Sequence, residues 1–335
     1  YRMEQFVDNF PNEEAHLTGE EIHRRLDEIE QIHAIYSPAR LGLAAAIACC
    51  AFTFLLGGGP IEMMLAFIAA GIGNLIRTKL IKHHFTLFLN IAVSISASCF
   101  IYAALLKIAE MAFNVPSIHE AGYICSMLFI IPGFPFITSG IDLAKLDLRS
   151  GLERLAYAII IVMVATMFAW IMALLLQLKP MDFEDLDLGP VLHLILRLIM
   201  SFFGVFGFSI MFNSPASMAA TAALIGAIAN SLRLELVDLT GMPAPAAAFA
   251  GALTAGLLAS FIKENNGYPR ISLTVPSIVI MVPGLYLYRA IYNFGIMALS
   301  DAVSWFASAI MIIIALPLGL IFARILTDKT FRYCT

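Results

Sequence analysis

"CSMLFIIPGFPFITSG", residues 125–140, decides how this chain is read. The stretch lies inside an apolar run long enough to cross a bilayer, yet it carries Pro132, Gly133 and Pro135. Each proline removes a backbone donor, and glycine weakens a helix further. In hydrocarbon no water replaces the lost bonds, so irregular backbone is tolerated only when buried in protein or lining a wet cavity. Downstream, "SIVIMVPGLYLYRA", residues 277–290, repeats the pattern with Pro283 and Gly284. A proline kink without function is the competing reading of either break taken alone.

The surroundings are those of an integral membrane protein. Of 335 residues, 60% are hydrophobic and 13% charged, and the mean hydropathy is +0.87. Soluble domains carry about 25% charged residues. The net charge of −4 reflects the N-terminal segment, because nine of the 24 acids precede residue 31. No basic run supports nucleic-acid binding. Cys49, Cys50, Cys99 and Cys125 lie in apolar runs and Cys334 near the end, without zinc or C-x-x-C spacing, so they read as small helix fillers.

A spanning helix needs about 20 mostly apolar residues. Ten candidates emerge, near 39–57, 61–80, 85–107, 120–142, 152–178, 189–211, 216–236, 243–262, 271–291 and 300–326. Fifteen Lys and Arg fall on the side that holds the N-terminus and four on the other, with Arg197 left inside a span. The positive-inside rule then puts both termini in the cytoplasm. The acidic loop 179–190 falls outside; Asp182, Glu184, Asp185 and Asp187 are either solvated or hold a cation, without EF-hand spacing. Residues 1–38 form a polar segment with Ile22, Leu26, Ile29 and Ile32 at helical spacing, Thr18 as N-cap and Pro38 as stop. His16, His23 and His33, in or near it, read as solvated.

The second half overlays the first. Pro60 aligns with Pro215, Asn74 and Arg77 with Asn230 and Arg233, and Pro132-Gly133 with Pro283-Gly284, at offsets of 155, 156 and 151 residues. Five spans per half is an odd number, so the second unit enters from the opposite side. The expected fold is all-α: two inverted five-helix repeats, 39–180 and 181–328, with broken helices four and nine and a tail at 329–335. In transporters so built, paired broken helices meet near the midplane and hold the substrate.

The order and spacing of four stretches resemble the threonine/serine exporter family: "LTGEEIHRRLDEIE" (17–30), "LAAAIACCAFTFLLGGG" (43–59), "IIPGFPFITSGIDLAKLDLRSGLERL" (130–155) and "VPSIVIMVPGLYLYRAIYNFG" (275–295). The third is the most specific, with Asp142, Asp147, Ser150-Gly151 and Arg154 after the Pro-Gly. The resemblance covers essentially the whole chain. It implies a plasma-membrane exporter of small amino acids driven by protons, with its two five-span units fused. It also implies a longer cytoplasmic N-terminal region, part of which is expected to be missing between "YRMEQF" and "LTGEE". Some relatives made as two chains are linked to dicarboxylate export, so the resemblance leaves the substrate open.

Half-helix ends offer partial charges of both signs, which suits a zwitterion. The expected substrate site is therefore Pro132, Gly133, Thr138, Ser139, Pro283, Gly284, Tyr286, Tyr288, Arg289, Tyr292 and Asn293, joined by Asn74 and Asn230. The hydroxyls serve equally well as helix–helix hydrogen-bonding groups. Asp142 is the first candidate for proton coupling and His193 the second. Arg77, Arg197, Arg233 and Asp301 are structural or gating charges, with Asp301 or the acidic outer loop as partner of the intramembrane Arg197. The expected partners are a small amino acid, protons and the bilayer; a homo-oligomer stays open, and no metal or cofactor is expected. A channel would need a polar ring or filter motif, an enzyme a nucleophile paired with a base, and an ATP-driven pump a phosphate loop; none stands out.

Overall fold

A computed structural model describes residues 17–30, 35–113, 116–180, 182–184, 186–266 and 268–332, with a few isolated positions before residue 17. His16, His33, Asp185 and Cys334 lie outside the described residues. The described secondary structure is all helical. Helix α1 spans Gly19–Glu30, with the Thr18 hydroxyl accepting from the Glu21 N–H at 3.3 Å. Then come α2 (Pro38–Leu55), α3 (Pro60–Lys82) and α4 (Leu87–Phe113). A bent pair follows: the arm His119–Ile130 and α5 (Gly133–Ala144), which meet at 54°. Helix α6 (Leu148–Leu176) closes the first half.

The second half repeats the order with α7 (Pro190–Met211), α8 (Ala216–Thr240) and α9 (Ala244–Asn266). The arm Arg270–Met281 meets α10 (Gly284–Gly295) at 43°, and α11 (Leu299–Thr327) ends the set. Among the described residues eight helices are long and apolar enough to cross a membrane, and the bent pairs bring the number to as many as ten. Pro38 starts α2 rather than only ending what precedes it; its missing N–H is one that a first-turn residue does not use, and Ser37 caps the turn.

Both breaks have one construction. Ile131 and Val282, pushed out of helical geometry by the proline that follows, adopt φ/ψ of −57/124° and −65/132°. Pro132 (−82/61°) and Pro283 (−81/56°) are then centres of inverse γ-turns. These are closed by Gly133 N–H to Ile131 O and Gly284 N–H to Val282 O, both 2.8 Å. Each interruption thus recovers one backbone hydrogen bond within itself. Each following 12-residue helix ends on a left-handed residue, Leu146 (φ 63°) or Met297 (φ 62°). Paired bonds such as Asp147 N–H to Asp142 O and Ala298 N–H to Asn293 O complete a Schellman turn in each. Every one of these positions differs from its counterpart by 151.

Packing follows the same plan. Within each half the first helix packs on the second, the second on the third, and the fifth on both the third and the post-break helix. Between halves, α2 packs on α7, α5 on α11 and α6 on α10. Helices α2 and α7 run antiparallel: a Cβ on Gly207 would lie 2.6 Å from Ala44 O, Gly204 faces Ala51, and Phe54 meets His193 further along. Small residues let these backbones touch, which is how apolar helices associate where lipid removes the hydrophobic drive.

Candidate functional site

The two breaks meet each other. A small cavity of about 20 Å³ lies between Phe52, Leu128, Ile131 and Gly133 on one side and Phe208, Val279, Val282 and Gly284 on the other. That holds about one water at most. The contacts exchange in pairs: a Cβ on Gly133 would strike Val279 at 2.6 Å and Val282 at 3.2 Å. One on Gly284 would meet Leu128 at 3.0 Å and Ile131 at 3.3 Å. Positions 128 and 131 are the counterparts of 279 and 282. The meeting point is apolar: Gly133 and Gly284, each just past its proline, come together there, and its lining residues carry no hydroxyl.

On one flank of the crossing a cavity of about 500 Å³ opens beside Phe134, Pro135, Thr138, Glu153, Arg154 and Tyr157. Its size falls in the range of small-ligand sites. Thr138 lines it, but its hydroxyl donates back to Phe134 O at 3.0 Å, and Ser139 donates to Phe136 O at 2.8 Å. Asp142 stands at the edge, bound to Arg154 at 2.7 Å. Adding 151 to Pro135, Thr138 and Arg154 gives Tyr286, Arg289 and Trp305, and there the side chains stack on one another. The Arg289 guanidinium lies 4.8 Å over the Trp305 ring, the Tyr286 ring is 5.1 Å from it, and Arg289 bonds Asp182 at 2.7 Å. Tyr288 is fully buried, its hydroxyl against that of Tyr123 with ring centres 5.8 Å apart, and Tyr292 lies 6.3 Å from Tyr288. Asn293 donates to Arg289 O at 2.9 Å.

The remaining candidates lie elsewhere. Asn74 donates to Leu41 O at 2.9 Å, and Asn230 donates to Ser201 Oγ at 2.8 Å while accepting from Arg233 Nε at 3.0 Å. Arg77 reaches Phe129 O, just before the first break, at 3.5 Å. His193 rests edge-on against Phe54 with ring centres 6.0 Å apart. Arg197 is buried, but its partners are Glu235 at 2.7 Å and Asp238, both on α8. This corrects the expectation of Asp301, which is exposed, or the acidic outer loop. The reason is packing: α8 lies against α7 and brings its own carboxylates to the guanidinium.

Sequence reasoning did not single out Glu62. It is 4% exposed, and its Oε1 lies 2.7 Å from His119 Nδ1. The visible signal was an acid two residues after Pro60, where the aligned second half has Ser217 two residues after Pro215. Four cysteines, Cys49, Cys50, Cys99 and Cys125, are free. Among the described residues no group of three or more His, Cys, Asp or Glu is placed to hold a metal ion.

A family model described as "Putative threonine/serine exporter" matches residues 1–177, and another, "Threonine/Serine exporter, ThrE", matches residues 197–326. The chain is 28% identical over 153 residues to the "Probable succinate transporter subunit YjjP" of Escherichia coli (strain K12), covering 46% of this chain and 57% of that one. It is 25% identical over 158 residues to the protein of the same description from Klebsiella aerogenes, covering 47% and 58%. The match therefore spans less than two thirds of either relative. No solved structure matches.

Proposed function

The chain belongs to the threonine/serine exporter family, and from that premise we propose that this multi-pass membrane transporter is a secondary active exporter of small polar amino acids, threonine or serine. Its two halves act as inverted repeats, and it works by alternating access around the paired proline breaks. The observation that carries this reading is the exchange of contacts at the crossing: Gly133 seats on Val279 and Val282 as Gly284 seats on Leu128 and Ile131. A near-twofold relation between antiparallel halves provides two arrangements of equal backbone geometry, one for each side of the membrane.

The asymmetry on either flank supports the same reading. A cavity opens beside Pro135, and at the equivalent place Arg289 stacks on Trp305. Exchanging the two states would open the second vestibule and close the first. The Lys and Arg distribution supports a cytoplasmic open vestibule with both termini on that side. An exporter loads from that side. Glu153 and Arg154 offer charges of both signs at the entrance, which suits a zwitterion.

The curated relatives named for succinate favour a second substrate, a dicarboxylate. The two are separated by purified protein in vesicles with an imposed proton gradient and labelled substrate. Flux of threonine or serine, with little for succinate, is expected. Succinate flux without amino acid flux overturns the choice.

A further inference from the structure

Among the described residues, Glu62 is the acid that lies buried, while the side chains of Arg197 and Arg289 are each 11% exposed. Arg197 has two carboxylates. Glu62 has only a histidine: Oε1 bonds His119 Nδ1, and Oε2 is buried with no hydrogen-bond partner. A buried carboxylate oxygen without a donor is costly and calls for a reason. His119 is the more exposed member of the pair, its side chain 14% exposed against 5% for Glu62.

The other groups that face the pair come from three elements. From α4, Tyr102 donates its hydroxyl to His119 O at 2.8 Å and lies within electrostatic reach of Glu62. From the arm, Gly122 lets Tyr102 and Glu62 close over it, since a Cβ there would lie 2.0 Å from the Tyr102 hydroxyl and 3.0 Å from Glu62 Cβ. Cys125, on the same arm, also feels Glu62, and beyond it Arg289 of α10. Among the described residues the equivalent positions of the second half carry no such pair. Position 217 is Ser, accepting from Tyr268 at 3.1 Å, and position 270, equivalent to 119, is Arg, bonded to Thr327 at 2.9 Å.

We propose that Glu62, reached through His119, is the proton-carrying group that couples this transporter to a proton gradient. This rests on the transporter reading above. The transfer balances. A proton from solvent adds to His119 Nε2, and the Nδ1 proton passes to Glu62 Oε1. Neutral imidazole with the opposite tautomer remains, now accepting from the new carboxylic O–H. The heavy-atom contact serves both states. One such pair, present in the first half and replaced by Ser217 and Arg270 in the second, gives a device of twofold backbone plan a chemical direction.

The test uses the purified full chain in vesicles with labelled threonine. Gradient-driven accumulation is compared with counterflow at equal pH, which exchanges substrate without net proton movement. Glu62→Gln should lose accumulation by about tenfold or more and keep counterflow; His119→Gln should slow accumulation in the same direction. Glu62→Asp, which keeps a titratable group, should restore part of it. Accumulation that survives in Glu62→Gln overturns the proposal, as does loss of counterflow in a folded Glu62→Gln, which would make Glu62 a substrate ligand. A readout without substrate separates this from failure of the transport reading: melting temperature in detergent between about pH 5 and about pH 8. The pH dependence should change in Glu62→Gln. If it does while wild type moves neither threonine nor succinate, the proton site stands and the substrate reading falls; an unchanged profile sinks the proton site.

Discussion

The cavity beside Pro135 and the stack around Trp305 occupy equivalent places 151 residues apart, yet one borders open space and in the other the side chains pack on one another. Their backbones hardly differ. The γ-turns at Pro132 and Pro283 agree within a few degrees, and the left-handed turns at Leu146 and Met297 agree as closely. What differs is the side chains: Thr138 and Arg154 on one flank, Arg289 and Trp305 on the other. Backbone symmetry thus holds at the two breaks, while the side chains around them differ from one flank to the other.

The largest expected effect falls on the crossing itself. Gly133→Leu and Gly284→Leu should each abolish transport, because a branched side chain has no room where the two breaks touch. The alanine pair sharpens the comparison. At 133 a Cβ would lie 2.6 Å from Val279, a stiff β-branched neighbour, whereas at 284 it would lie 3.0 Å from the end of Leu128. Overpacking costs about 1–3 kcal/mol, and Gly133→Ala should sit at the upper end, Gly284→Ala at the lower. Vesicle flux and melting temperature read both effects. Normal flux in both leucine variants would reduce the breaks to kinks.

A moderate effect tests the two mouths. In a background freed of native cysteines, a hydrophilic thiol reagent should label Phe134→Cys, which lines the open cavity. It should spare the equivalent Leu285→Cys, whose parent side chain is 7% exposed. Adding Trp305→Ala removes the platform under Arg289 and Tyr286, and Leu285→Cys should then react. Equal labelling of the two single cysteines in otherwise unaltered protein would erase the distinction between the mouths.

The proline breaks were legible because their cause is covalent: a proline has no N–H wherever it stands. Span positions were legible because hydropathy is local, although α4 runs to Phe113 rather than ending near 107. The side-chain network was not. Thr138 and Ser139 look like ligands in a sequence, but hydroxyls in helices find the carbonyl three or four residues back. Arg197 meets residues 38 and 41 positions away, and Glu62 meets one 57 positions away. Such distances are set by which helices pack together. A single sequence gives no register between α3 and the arm that follows α4, so the burial of Glu62 under His119 could not be inferred from it.

The smallest effect lies where the halves begin their longest helices. Asp147 caps α6, and Ala298 stands at the same place before α11; both helices have 29 residues. The Ser150 hydroxyl and backbone N–H hold the Asp147 carboxyl below the usual carboxylate range. A carboxyl lowered on folding stabilises at pH above its unfolded value of about 3.9, and that contribution is lost as pH falls through the lower folded value. The melting temperature of Asp147→Asn, which keeps a cap but not the charge, should therefore be below wild type near neutral pH. The difference should shrink below about pH 4. The mirror substitution, Ala298→Asp, adds a cap where none exists, yet it should gain less than Asp147 contributes. Position 301, equivalent to Ser150, is Asp301, so the new carboxylate would meet a like charge in the turn it caps. Raising salt screens that repulsion and should bring Ala298→Asp closer to the Asp147 cap. An Asp147→Asn difference that persists unchanged into acid would show that the cap works through shape alone.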